Sequence, residues 1–254
     1  MRALLMAALS CVVAVALAGC HDYDHFRDMP DGGAGADFAL PSGDMAGCPP
    51  RSALPPAQSG CTIYTFEAGV PVALSAIASK ADATVDAACG MLHVRLGAGA
   101  SHDLWIDDLG AVRVEEKAPR TGAFTLSARV HGTLDQNQKF SGVYAADNFA
   151  QRYISVQTTA DATGLHDHDV VFDFGATSAE QAQYPNATPA AGDSYGFSLE
   201  RMSGSSTFAL RGSTTQMLTV SAPSALTPGV VVGNCCGTSA PAFDAYIEWM
   251  MVCQ

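Results

Sequence analysis

The chain has 254 residues, 48% of them hydrophobic, and sets 13 Lys and Arg against 25 Asp and Glu for a formal charge of −12. So acidic a surface repels phosphate backbones, which excludes nucleic acid as a natural partner. The length suffices for one substantial hydrophobic core.

At the N-terminus, Arg2 supplies a positive charge, Ala3 to Ala16 form an uncharged apolar run of 14 residues, and Leu17-Ala18-Gly19-Cys20 follows. The run is shorter than the roughly 20 residues a helix needs to cross a bilayer, and the pattern reads as an export signal. Leu-Ala-Gly-Cys resembles the lipobox of bacterial prolipoproteins. That resemblance implies thioether lipid on Cys20, cleavage before it, and a fatty acyl group such as palmitate on the new amine. Two or three acyl chains hold a protein to a membrane far more firmly than one. The alternative is an ordinary secretory signal with an incidental cysteine. His21 rather than aspartate follows Cys20, so the resemblance offers no inner-membrane retention signal and favours the outer membrane. Without residues 1–19 the chain keeps 235 residues and, having lost only Arg2, a formal charge of −13.

Residues 20–60 follow as a linker. Six aspartates from Asp22 to Asp44 are interspersed with Gly32, Gly33, Gly35, Pro41, Pro49, Pro50, Pro55 and Pro56. Few apolar side chains offset the entropy of ordering, so this segment reads as a flexible stalk.

Six cysteines come after Cys20: Cys48, Cys61, Cys89, Cys235, Cys236 and Cys253. An even number in an exported chain implies three disulfides, with 15 connectivities open. Cys48 with Cys61 would close a short loop where stalk meets body. Cys235 and Cys236 are adjacent and are expected to pair elsewhere, with Cys89 and Cys253 as candidates.

The body, residues 61–254, alternates apolar and polar side chains at period two between Gly, Asn and Asp turns, the pattern of half-buried strands. Phe124, Leu126, Ala128 and Val130 oppose Thr125, Ser127, Arg129 and His131. Ile154 and Val156 oppose Tyr153, Ser155 and Gln157; Val170, Phe172 and Phe174 oppose Asp169 and Asp173; Tyr195, Phe197 and Leu199 oppose Ser198 and Glu200. A turn at Met202–Ser205 leads to Phe208 and Leu210, and further strands are predicted at Met217–Val220, Val230–Val232 and Phe243–Val252. Ala68 to Ala88 is alanine-rich and ambiguous between helix and strand. The fold class is all-β, two packed antiparallel sheets.

The run from Gly122 to Gly132, Ser141 to Asp147, Tyr153 to Val156, Tyr195 to Arg201, and Val232-Gly233-Asn234 before Ala242-Phe243-Asp244 resembles the concanavalin A-like lectin/glucanase superfamily, laminin-G-like domains included. The likeness spans roughly residues 100–252 and rests on strand pattern and glycine placement. It implies a jelly-roll sandwich, of a kind that often binds or cuts polysaccharide on its concave sheet.

Glucanases of that superfamily carry an E-x-D-x-E strand, in which period two sets three carboxylates on one face. This chain has no such triplet. Asp167, Asp169 and Asp173 share parity, but the last two would stand about 13 Å apart along a strand, too far for a retaining pair. No G-x-S-x-G elbow, P-loop, dinucleotide fingerprint or EF-hand loop is present.

His166, Asp167, His168 and Asp169 form the one dense group of metal-ligand types. Histidines two apart in a strand share a face and suit zinc or copper, and the aspartates suit calcium. The competing reading is a polar turn entering a strand, since no third ligand is identifiable nearby. Sugar binding needs aromatic faces and planar polar groups; Arg129, Tyr153 and Gln157 are the candidates from the polar strand faces. The expected function is therefore a membrane-tethered, non-catalytic carbohydrate-binding sandwich, with polysaccharide as partner. The alternative is a structural or adhesive domain that contacts an envelope protein. A glycoside hydrolase ranks third.

Overall fold

The structure is a computed structural model that describes residues 47–104, 110–135, 138–148, 152–161, 164–172, 180–185, 192–203, 206–220, 222–235 and 237–254. Among the described residues there are sixteen strands: β1 (Cys61–Thr65), β2 (Leu74–Ile77), β3 (Ala83–Ala88), β4 (Met91–Leu96), β5 (Val112–Glu116), β6 (Arg120–Thr121), β7 (Phe124–His131), β8 (Lys139–Asn148), β9 (Arg152–Asp161), β10 (Gly164–Phe172), β11 (Glu180–Pro185), β12 (Ser194–Arg201), β13 (Thr207–Arg211), β14 (Thr215–Thr219), β15 (Ala225–Asn234) and β16 (Phe243–Cys253).

They form two antiparallel sheets packed as a sandwich. The first runs β14-β13-β12-β7-β16-β4-β3, with β1 also on β16; the second runs β11-β10-β9-β8-β15-β5-β2, with β6 on β15. Alternation puts the apolar parity of each strand between the sheets. Leu126, Ala128, Val130, Phe197 and Leu199 from the first sheet meet Val114, Val143, Ile154, Val156, Val230 and Val232 from the second in one buried cluster. Each fully buried side chain of this size contributes about 1.5–3 kcal/mol relative to exposure. The expected all-β sandwich is thus the observed one, and the ambiguous alanine-rich stretch resolves into β2 and β3.

Two expectations need correction. The disulfides are Cys48–Cys89 and Cys61–Cys253, not Cys48–Cys61. Register decides it: β1 lies antiparallel on β16 with Cys61 opposite Cys253, so Cys61 is spoken for by the last strand. Cys89 and Cys253 are therefore not the partners of the adjacent pair; Cys235 is buried at the end of β15, and Cys236 lies outside the described residues.

Ahead of β1, residues 47–60 lie as an arm on the sandwich, held by the Cys48–Cys89 disulfide, by an Arg51–Glu67 ion pair at 3.1 Å and by the Ser52 amide, which donates to Glu248 Oε1 at 2.5 Å. Second, the aspartates of β10 face inward. Asp169 aligns with Val156 and Asp167 with Thr158, so the two carboxylates share the parity of the inter-sheet core and are buried.

Candidate binding face on the second sheet

The outward parity of the second sheet arranges its side chains in rows, of which Arg113, Glu115 and Gln157 are partly exposed. Across β9, β8, β15 and β5, Ser155, Tyr144, Gly229 and Glu115 are in register, and the next row is Gln157, Gly142, Val231 and Arg113. Gly229 is required there: a Cβ on it would stand 2.6 Å from the Tyr144 ring, so only glycine lets the phenol lie across its neighbour. Tyr144 then donates its hydroxyl to Glu115 Oε2. Burial, and secondarily the Glu115 charge, pushes the Tyr144 pKa up, so the phenol stays a donor. Arg113 Nη1 stands 4.0 Å from Glu115 Oε2, both side chains partly exposed. At the other side Gln157 Nε2 donates to Ser155 Oγ at 2.9 Å.

A second apolar cluster covers part of this face. Leu104 and Ala111 pack with Phe140, Tyr144, Ala146, Tyr153 and Val231. The connection that carries Leu104 is pinned by His102, fully buried, whose Nδ1 lies 2.8 Å from Asn234 Oδ1 and whose Nε2 lies 3.1 Å from Asp82 Oδ1. Its neighbour Asp103 adds to the burial that raises the Tyr153 pKa.

The three sequence-derived sugar candidates are not brought together. Gln157 is on this face, partly exposed. Tyr153 is on it too, but at 2% exposure it is packed under the second cluster and offers no ring for stacking. Arg129 sits on β7 of the first sheet, whose polar parity points away from the second sheet. What sequence reasoning missed was Arg113 and Glu115; their alternation with Val112 and Val114 was the available signal.

The metal-ligand group is divided by the strand. Positions 166 and 168 share one parity of β10, and Asp167 and Asp169 the other. Asp167 accepts Thr158 Oγ1 at 2.7 Å, Ser213 Oγ at 2.6 Å and the Ser213 amide, so its oxygens are occupied by protein donors. Among the described residues no three His, Cys, Asp or Glu side chains gather as a metal site. Asp173 lies outside the described residues.

No protein family and no curated protein matches this chain. Solved structures do match in fold. A xylan β-1,4-xylosidase from Bacillus halodurans C-125 aligns with a TM-score of 0.57 at 11% identity, over 81% of this chain and 41% of that one. The CBM2 module of the evolved Dit protein of Lactobacillus casei BL23 phage J-1 aligns at 0.53 and 10% identity, over 76% and 95%. A GH16 protein of the Bacteroides ovatus mixed-linkage glucan locus, solved with a product, aligns at 0.51 and 9% identity, over 75% and 99%. These likenesses establish the jelly-roll fold.

Proposed function

We propose that this chain is an exported lipoprotein, anchored through Cys20, whose sandwich binds carbohydrate without covalent chemistry. One observation carries the reading: the two rows set the partly exposed amide of Gln157, guanidinium of Arg113 and carboxylate of Glu115 on one sheet face, with Gly142 and Gly229 between them and the buried Tyr144 hydroxyl holding Glu115. Three inter-strand spacings separate Gln157 from Arg113, about 14 Å. Side chains that both donate and accept, spread at that span, suit a ligand rich in hydroxyls. The two rows contain a single carboxylate, Glu115, whereas retaining hydrolysis needs two about 5–5.5 Å apart. Xylosidase, GH16 and CBM2 names among proteins of the same fold support the same direction.

Affinity electrophoresis of the full chain through gels loaded with xylan, mixed-linkage glucan or laminarin tests the reading. Retardation by one polymer, reduced in Gln157→Ala and Arg113→Ala, is the expected result. Retardation that both variants retain would move the binding face elsewhere.

A second reading has one observation in its favour. Val72, in the β1–β2 connection, is 88% exposed, and Val70 beside it is exposed too. Contact with an envelope protein would cover them, and crosslinking from a photoreactive residue at position 72 in intact cells would capture that partner.

A further inference from the structure

The outer face of the first sheet carries a different chemistry. Thr65, Trp249, Arg129 and Gly196 are in register across β1, β16, β7 and β12. Arg129 reaches toward β12: its Nη1 donates to Ser194 Oγ at 3.1 Å, and a Cβ on Gly196 would be 3.6 Å from Nη2. That leaves the Nε–Nη2 edge of the guanidinium, the pair of parallel N–H groups that fits a carboxylate in bidentate fashion. Nε is buried and has no partner.

One further buried donor on the same face lacks a partner: Trp249 Nε1. Trp249 is the direct cross-strand neighbour of Arg129, and His131, two residues along β7, is already tied through Nε2 to the buried Glu248 carboxylate at 2.8 Å. Trp249 is 9% exposed and His131 1%. Leaving a donor buried and unmet costs about 1–3 kcal/mol, so two such atoms on directly paired positions mark a place where an acceptor belongs.

Charge narrows the acceptor. Five other arginines with described side chains face a carboxylate within 4.0 Å, and Arg201 donates to two backbone carbonyls. Arg129 has no carboxylate among the described residues, although acidic residues outnumber basic ones 25 to 13 along the chain. We propose that Arg129 and Trp249 form a carboxylate-binding site on the outer face of the first sheet, in which the Nε–Nη2 edge grips both oxygens and the indole N–H donates to one of them. The site lies on the other sheet from the face proposed above for carbohydrate and is independent of it.

The chain has two tryptophans, Trp105 and Trp249, so Trp105→Phe leaves Trp249 as the reporter. Titration of the full chain bearing Trp105→Phe with galacturonate, succinate and methyl galacturonate methyl ester, read by indole fluorescence, is the test. Saturable change with the acids but not with the ester is expected, and Arg129→Gln should raise the Kd about tenfold or more, as loss of a charge-assisted pair does. Response to galacturonate alone would identify an acidic sugar, and response to both acids any carboxylate; either supports the site. An equal response to the ester, no saturable response to either acid, or affinity unchanged in Arg129→Gln would overturn it. Arg129→Lys, which keeps the charge and loses the fork, guards against a folding defect: it should bind weakly while melting as the parent does.

Discussion

The Asp167 carboxylate on β10 accepts both the amide and the hydroxyl of Ser213, which lies in the turn between β13 and β14. β10 belongs to the second sheet and the β13–β14 hairpin to the first, so one buried side chain ties the two layers at their edge. Gly212 makes the approach possible, since a Cβ there would stand 2.4 Å from Asp167 Oδ2.

Asp167→Ala therefore leaves the Thr158 and Ser213 donors unmet in a buried site. The expected loss is about 3 kcal/mol of unfolding free energy, measured by urea denaturation. Gly212→Ala should destabilise as well, because the added carbon meets the carboxylate; a loss below about 0.5 kcal/mol in both variants would contradict the tie.

Asp169 gives a pH signature. Burial, and then the neighbouring Asp167 charge, raises its pKa from 3.8 to about 7. A carboxyl with a raised folded-state pKa holds its proton in the native protein where the unfolded chain has lost it. Its contribution to stability therefore falls as pH rises from about 4 to about 7 and is constant above that. Melting temperatures recorded between pH 5 and 8 should decline, and Asp169→Asn should flatten the decline and melt higher than the parent at pH 8.

The two disulfides should differ in effect. Cys61–Cys253 closes a separation of 192 residues and Cys48–Cys89 one of 41. On the chain-entropy account the longer loop contributes about 5 kcal/mol and the shorter about 4, both upper values. Paired serine variants at 61 and 253 should lower the denaturation midpoint more than those at 48 and 89.

Lipid attachment has a direct check. Metabolic labelling with a clickable palmitate analogue should tag the parent chain, and Cys20→Ser should abolish the tag and leave the export signal uncleaved at that site. Label retained in Cys20→Ser would remove the anchor from the account.

Sheet architecture was legible in the sequence because alternation reports burial directly: Leu126, Val130, Ile154, Val156 and Leu199 all proved to be core. The reading failed where polar groups are buried with partners distant in sequence. Nothing near Asp169 announces that it aligns with Val156, and Ser213 is 46 residues from Asp167. Disulfide pairing failed for the same reason, being set by a contact between the first and last strands. Alternation also cannot tell which sheet a polar face belongs to, so Arg129 and Gln157 were grouped although they lie on different sheets. Arg113 and Glu115 were visible as a strand pattern, yet only their register with Tyr144 and Gln157 gives them a role.

The central claim is that the second sheet's outer face binds carbohydrate. A glycan-array screen of the full chain, produced by secretion into an oxidising compartment and read with and without calcium, tests it most directly. The account predicts a defined set of neutral polysaccharide hits that Gln157→Ala and Arg113→Ala weaken, and calcium dependence would return weight to Asp167 and Asp169. A blank array from folded, disulfide-intact protein would contradict it and leave envelope-protein contact as the function to pursue.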